Sequence, residues 1–159
     1  MNQTMQRRTF LAAGALSIPS IALAKSGQEA TNWNQRMEFH KLMGQAGDHL
    51  KSMRGMMRDL DGPGARDDAG FLANEISVLL VQCIQCAEQV KIPKQSAEEY
   101  GDDRAKFLTD LRVKLTESAL ASVALSRAIW LKDDDEAAAQ YRALRSIRKE
   151  GHDEFISEE

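Results

Sequence analysis

The chain has 159 residues, with 21 lysines and arginines against 24 aspartates and glutamates, and a formal net charge of −3 at pH 7. That length gives one compact domain with a real core, and the acidic balance, without a run of Lys and Arg, excludes a basic patch of nucleic-acid type. Two cysteines, Cys83 and Cys86, are too few for a disulfide scaffold.

The chain opens with a segment that does not belong to the fold. In "MQRRTFLAAGALSIPSIALA" a basic pair, Arg7 and Arg8, precedes an apolar run that ends in Ala22-Leu23-Ala24. A basic start, an apolar run and a small-x-small end make a secretory signal peptide. Residues 1–24 are therefore expected to be cleaved, leaving residues 25–159 as the mature domain and the net charge at −5. The run is too short for a transmembrane helix, so no membrane anchor is expected after cleavage. The block from Arg7 to Leu11 resembles the twin-arginine signal, with Gln6 where that pattern has Ser or Thr. The resemblance implies export to the periplasm of a protein already folded, often with its cofactor inside. A general secretory signal with a chance arginine pair is the plainer alternative.

From Thr31 onward the patterning is helical and no strand alternation is visible. The first helix is expected over Asn32 to Leu60, because Phe39, Met43, Ala46, Leu50, Met53, Met57 and Leu60 alternate steps of four and three. "DGPG" (Asp61 to Gly64) stops it. The second is expected over Ala65 to Val90, with Leu72, Ile76, Leu79, Cys83, Cys86 and Val90 on one stripe, and ends before Pro93. The third runs over Ala97 to Leu131 with Phe107, Leu108, Leu111 and Leu115, although Gly101 disturbs its first turn. The acidic run Asp133 to Asp135 supplies caps for a fourth helix, Asp134 to Ile156, whose one face carries Tyr141, Leu144, Arg148, His152 and Phe155. Short connections between four helices predict an all-α, antiparallel up-down-up-down four-helix bundle.

Counted from the ends of their helices, Met43, Cys83 and His152 each lie about 25–27 Å from the "DGPG" end. Phe107 and Leu111 come near the same level. Taken singly, each residue has a plain explanation. A histidine near a helix C-terminus suits the helix dipole, a methionine on an apolar stripe fills core, and a free cysteine behaves as a small hydrophobe. Taken together they put nitrogen and soft sulfur donors at one end of a bundle, where such folds build cofactor and metal sites.

The pair Met43 and His152 resembles the axial ligands of the cytochrome b-562 family, periplasmic four-helix bundles that hold one non-covalent b-type haem. "MGQAGDHLKSM" (Met43 to Met53) is similar to that family's first helix. "DEAAAQYRALRSIRKEGH" (Asp135 to His152) is similar to its last, matching at Glu136, Ala137, Leu144, Arg148 and His152. The last turn, "RKEGHDEF", is also similar to the related cytochrome c-prime fold, but Arg148 and Gly151 stand where two haem-attaching cysteines would be. "CIQCA" has Ala87 where covalent attachment needs histidine. The resemblance thus implies haem b, with Met43 and His152 as iron ligands and Arg148 against the porphyrin or a propionate. Leu50, Phe107 and Leu111 would wall the haem. Met/His ligation raises the iron's reduction potential and favours electron transfer to an unknown periplasmic redox partner. With both axial positions filled, no enzymatic turnover is expected.

Two other functions fit the same residues. Cys83 and Cys86, with Met37, His40 and Met43 nearby in register, suit a copper or other soft-metal binder, since thiolate and thioether select Cu(I). A haem-free helical chaperone or interaction module is the other. If neither Met43 nor His152 held the iron, His40 and His49 would be the next candidates.

Overall fold

The computed structural model describes residues 39–155. The expected leader, the first turns of the first helix with Met37, and Ile156 lie outside them. The described residues form five helices and no strand: α1 Phe39–Met56, α2 Ala65–Cys86, α3 Ala97–Tyr100, α4 Arg104–Leu131 and α5 Asp134–Phe155. Single 3-10 turns at Ala87–Gln89 and Lys94–Ser96 lie between α2 and α3.

The elements differ from the sequence expectation mainly at their ends. α1 stops at Met56 rather than Leu60. Its exit tightens into three-residue turns, in which Arg58 N–H donates to Gly55 O and Asp59 N–H to Met56 O. Leu60 nevertheless remains buried. α2 stops at Cys86 rather than Val90, and the Arg104 guanidinium takes up the carbonyls of Val90 and Glu88 that the helix has left. The third helix is not continuous from Ala97. Gly101 at φ 51 turns the chain out after one turn, in a conformation that needs no Cβ. α4 then starts afresh, with the Asp103 carboxylate accepting from Lys106 N–H. The acidic run caps α5 as expected: Asp133 Oδ1 accepts from Glu136 N–H.

Packing follows chain order. α1 lies along α2, α2 along α4 and α4 along α5, whereas α1 and α5 make no comparable contact. One core runs through all four long helices, from Phe39, Leu50 and Met53 to Ile76, Leu111, Ile129, Leu144 and Phe155.

The α2/α4 seam is built from small residues. Gly70, Ala73, Ser122 and Ser126 are all buried there, so the two backbones approach closely. The Ser122 hydroxyl donates across it to Ala73 O at 2.7 Å, and the Ser126 hydroxyl to Gly70 O at 3.0 Å. Each buried hydroxyl therefore has a partner, which a seam this dry requires. Trp130 lies so close over Gly70 that a Cβ there would overlap the indole.

The connection between α1 and α2 is tied to the one between α4 and α5. Arg66 reaches Asp61 at 3.0 Å, Asp134 at 2.8 Å and the Ile129 carbonyl at 3.1 Å. The guanidinium holds the Asp134 carboxyl below its ordinary range.

Candidate functional site

The weakly joined α1/α5 side opens into a cleft. Phe39, Met43, Gly47 and Leu50 line it from α1, at the four-and-three spacing that keeps one helix face together. Leu144, Arg148, His152 and Phe155 face them from α5 at the same spacing. Ile76 and Leu80 of α2 and Leu111 and Leu115 of α4 form its floor. Its cavity volume is small, about 50 Å³.

Five of the six residues expected at a haem site line this one cleft: Met43, Leu50, Leu111, Arg148 and His152. Met43 and His152 are half-buried. Arg148 leans across the seam, with its Nη2 3.6 Å from where a Cβ on Gly47 would stand. Phe107, the sixth, is not on the wall. It is fully buried behind it. Its ring lies edge-on to Tyr100 at 5.3 Å and tilted against Phe155 at 5.7 Å. Phe155 lines the cleft, so Phe107 backs the wall rather than forming it. The mismatch has a local cause: Phe107 lies one turn beyond Leu111, in the first turn of α4, where Tyr100 and Phe155 close over it.

Cys83 and Cys86 are buried, are not in a disulfide and do not line the cleft. On α2 the cleft level is held by Ile76 and Leu80, so the expected common level of Met43, His152 and Cys83 does not bring the thiol to the other two. Burial, with Cys86 adding to it, pushes the Cys83 thiol up to about 12. Among the described residues no three or more His, Cys, Asp or Glu side chains converge as a metal group. His40 is exposed and edge-on to Phe39, while His49 turns to Glu75 of α2 at 3.4 Å. Neither faces the cleft.

Above the cleft, the same seam widens into a groove of about 820 Å³ between α1 and α5 alone. Lys51 and Arg54 line one bank, and Arg142, Arg145, Arg148 and Lys149 the other, with Asp48 the single acid. None of the six cations forms an ion pair among the described residues. A chain that is acidic overall thus carries a local basic groove, which net charge concealed. The signal was present in the spacing of Arg142, Arg145 and Arg148 at steps of three, one stripe of a helix. Met43, Gly47, Leu50 and Arg148 border both spaces, so cleft and groove are continuous.

Comparison with protein-family models, curated proteins and solved structures finds no match for this chain.

Proposed function

We propose that this chain is an exported, antiparallel up-down-up-down four-helix bundle (α1, α2, α4, α5) that binds one b-type haem non-covalently and carries electrons in the periplasm. The observation that carries the reading is the continuity of an apolar cleft holding Met43 and His152 with a basic groove. Haem has that same division: a flat apolar body with an iron that accepts imidazole and thioether, and one edge bearing two carboxylates. The donor set and the lining fit the group. The cleft is narrow as it stands, and the α1/α5 side, where the fewest contacts join neighbouring long helices, is where it would widen to admit the group.

The bound iron supplies reversible one-electron chemistry at a potential that Met/His ligation raises. The protein's residues do the rest. His152 gives one ring nitrogen, in a helix turn whose carbonyls favour positive charge. Met43 gives its thioether from the facing helix. Leu50, Leu80, Leu111 and Phe155 would exclude water from the group, which Met43 and His152 would hold. Arg148, aided by the other groove cations, neutralises carboxylates at the mouth.

Absorption spectra of the chain titrated with haemin, oxidised and reduced, test the reading. His152→Ala is expected to lose most of the haem. Met43→Ala is expected to keep it, with one protein ligand fewer and a lowered potential. Wild-type spectra from both variants would overturn the ligand assignment, and a chain that takes up no haem would overturn the function.

A further inference from the structure

On the side opposite the cleft the molecule carries a different surface. Among the described residues, the large apolar side chains that stay exposed lie on α2 and α4. Phe71 and Trp130 meet edge-to-face at 6.0 Å. Val78 and Val81 follow Phe71 along α2, and Val123, Leu120 and Val113 precede Trp130 along α4. Each is about half exposed or more, from 47% for Trp130 to 65% for Leu120. The exposed residues between them are Asn74, Gln82, Thr116, two acids, Glu75 and Glu117, and one cation, Arg127.

We propose that this α2/α4 face docks a second copy of the chain, forming a two-fold homodimer. Three observations lead there, and none depends on haem. The first is size. Eight half-exposed apolar side chains are involved, at roughly 150–200 Å² each when whole. They offer about 600–800 Å² per copy, beyond the ~300–600 Å² patch ordinary on a monomer. Doubled, that reaches the ~1,200–2,000 Å² of a standard interface. The second is symmetry. The Ser122–Ala73 and Ser126–Gly70 bonds make α2 and α4 run in opposite directions. A copy turned by half a revolution then meets the face with the same pattern, as an isologous contact requires. The third is rigidity. Trp130 is seated on the bare backbone of Gly70 and braced by Phe71, so an aromatic anchor is held in place before docking.

A lipid surface suits the face less well. α2 is apolar enough over Ala65–Gln89 to pass a membrane-span test by composition. A helix lying on anionic lipid, however, is favoured by flanking Lys and Arg, and between the exposed apolar residues of this face the one exposed cation, Arg127, is outnumbered by Glu75 and Glu117. The basic groove lies across the molecule, on α1 and α5.

Sedimentation equilibrium of the exported, processed chain between about 1 and 100 µM decides the matter. The expected result is a dimer whose dissociation constant rises at least 100-fold in Leu120→Glu and in Val81→Glu, with the helical circular dichroism unchanged. Val123→Lys, on an equally exposed site, replaces either variant that fails to fold. A wild-type monomer at 100 µM overturns the proposal, as does a dimer that survives these substitutions. So does a wild-type chain that stays monomeric but floats with phosphatidylcholine–phosphatidylglycerol vesicles, or one whose dimer is replaced by a complex with a different protein.

Discussion

The α2/α4 seam and the α1/α5 seam are made of helices of similar length, yet they are opposites. On α2 and α4 the meeting residues are Gly70, Ala73, Ser122 and Ser126, and the backbones close until hydroxyls bond across. On α1 and α5 the facing residues are Met43, Leu50, Arg148 and His152, which hold the helices apart and leave a cleft. Side-chain size at a few positions thus decides which side of the core is sealed and which is left open. One seam is close-packed, and the other forgoes packing between its two helices.

Substitutions that probe each seam test this contrast. Ala73→Leu should have the largest effect. Ala73 is fully buried and its carbonyl accepts from Ser122, so three added carbons have nowhere to go. A loss of about 3 kcal/mol is expected in urea denaturation, and a loss under about 1 kcal/mol would show slack in the sealed seam. Gly70→Ala comes next, at about 1–2 kcal/mol, because its Cβ must displace the Trp130 indole. The change should appear as a red shift of tryptophan emission.

Cys83 gives a pH-dependent test of the same closed interior. In the unfolded chain its thiol ionises near the ordinary 9.0, and in the folded chain near 12. Stability from this group is whole below pH 9 and falls as pH rises from 9 toward 12, since only the unfolded chain gains the thiolate in that window. The expected loss from pH 8 to pH 10 is about 1 kcal/mol, and Cys83→Ala should flatten that slope. Gly47→Ala has the smallest effect, with the opposite sign to Gly70→Ala. A Cβ on Gly47 meets Arg148 at an ordinary 3.6 Å. Helix α1 should therefore gain about 0.5–1 kcal/mol from the lost glycine entropy. A loss there instead would mean that the open seam is packed as tightly as the closed one.

These differences also mark what could be read from the sequence. Large apolar residues at steps of three and four announce themselves, so Phe39, Leu50, Leu111, Leu144 and Phe155 were visible as core, and helix and strand were never in competition. The closed seam was not visible, because Gly, Ala and Ser carry no hydrophobic period and gain their role only by meeting across two helices. Val78, Val81, Leu120 and Val123 stood outside the expected apolar stripes, and the structure leaves all four exposed. Met43, Arg148 and His152 could be brought together by counting helix lengths. The count failed for Cys83, where one turn of rise and a rotation about the helix axis separate facing the cleft from facing the core. Phe107 shares a helix face with Leu111 but lies one turn further along, where the rings of Tyr100 and Phe155 cover it.

The Tyr141 hydroxyl donates to Leu50 O at 3.2 Å, in a buried bond that joins α5 to α1 partway along their length. It works as a fulcrum. Above it the Arg66 clamp fixes both connections; below it α1 stays packed on α2 and faces α5 across the cleft, with Met43 about 10 Å and Phe39 about 16 Å from the bond. A swing of only 10° about Leu50 moves the Met43 backbone by roughly 2 Å and that of Phe39 by roughly 3 Å. A small tilt of α1 about this bond therefore changes the width of the cleft at Met43 far more than it moves the Arg66 end.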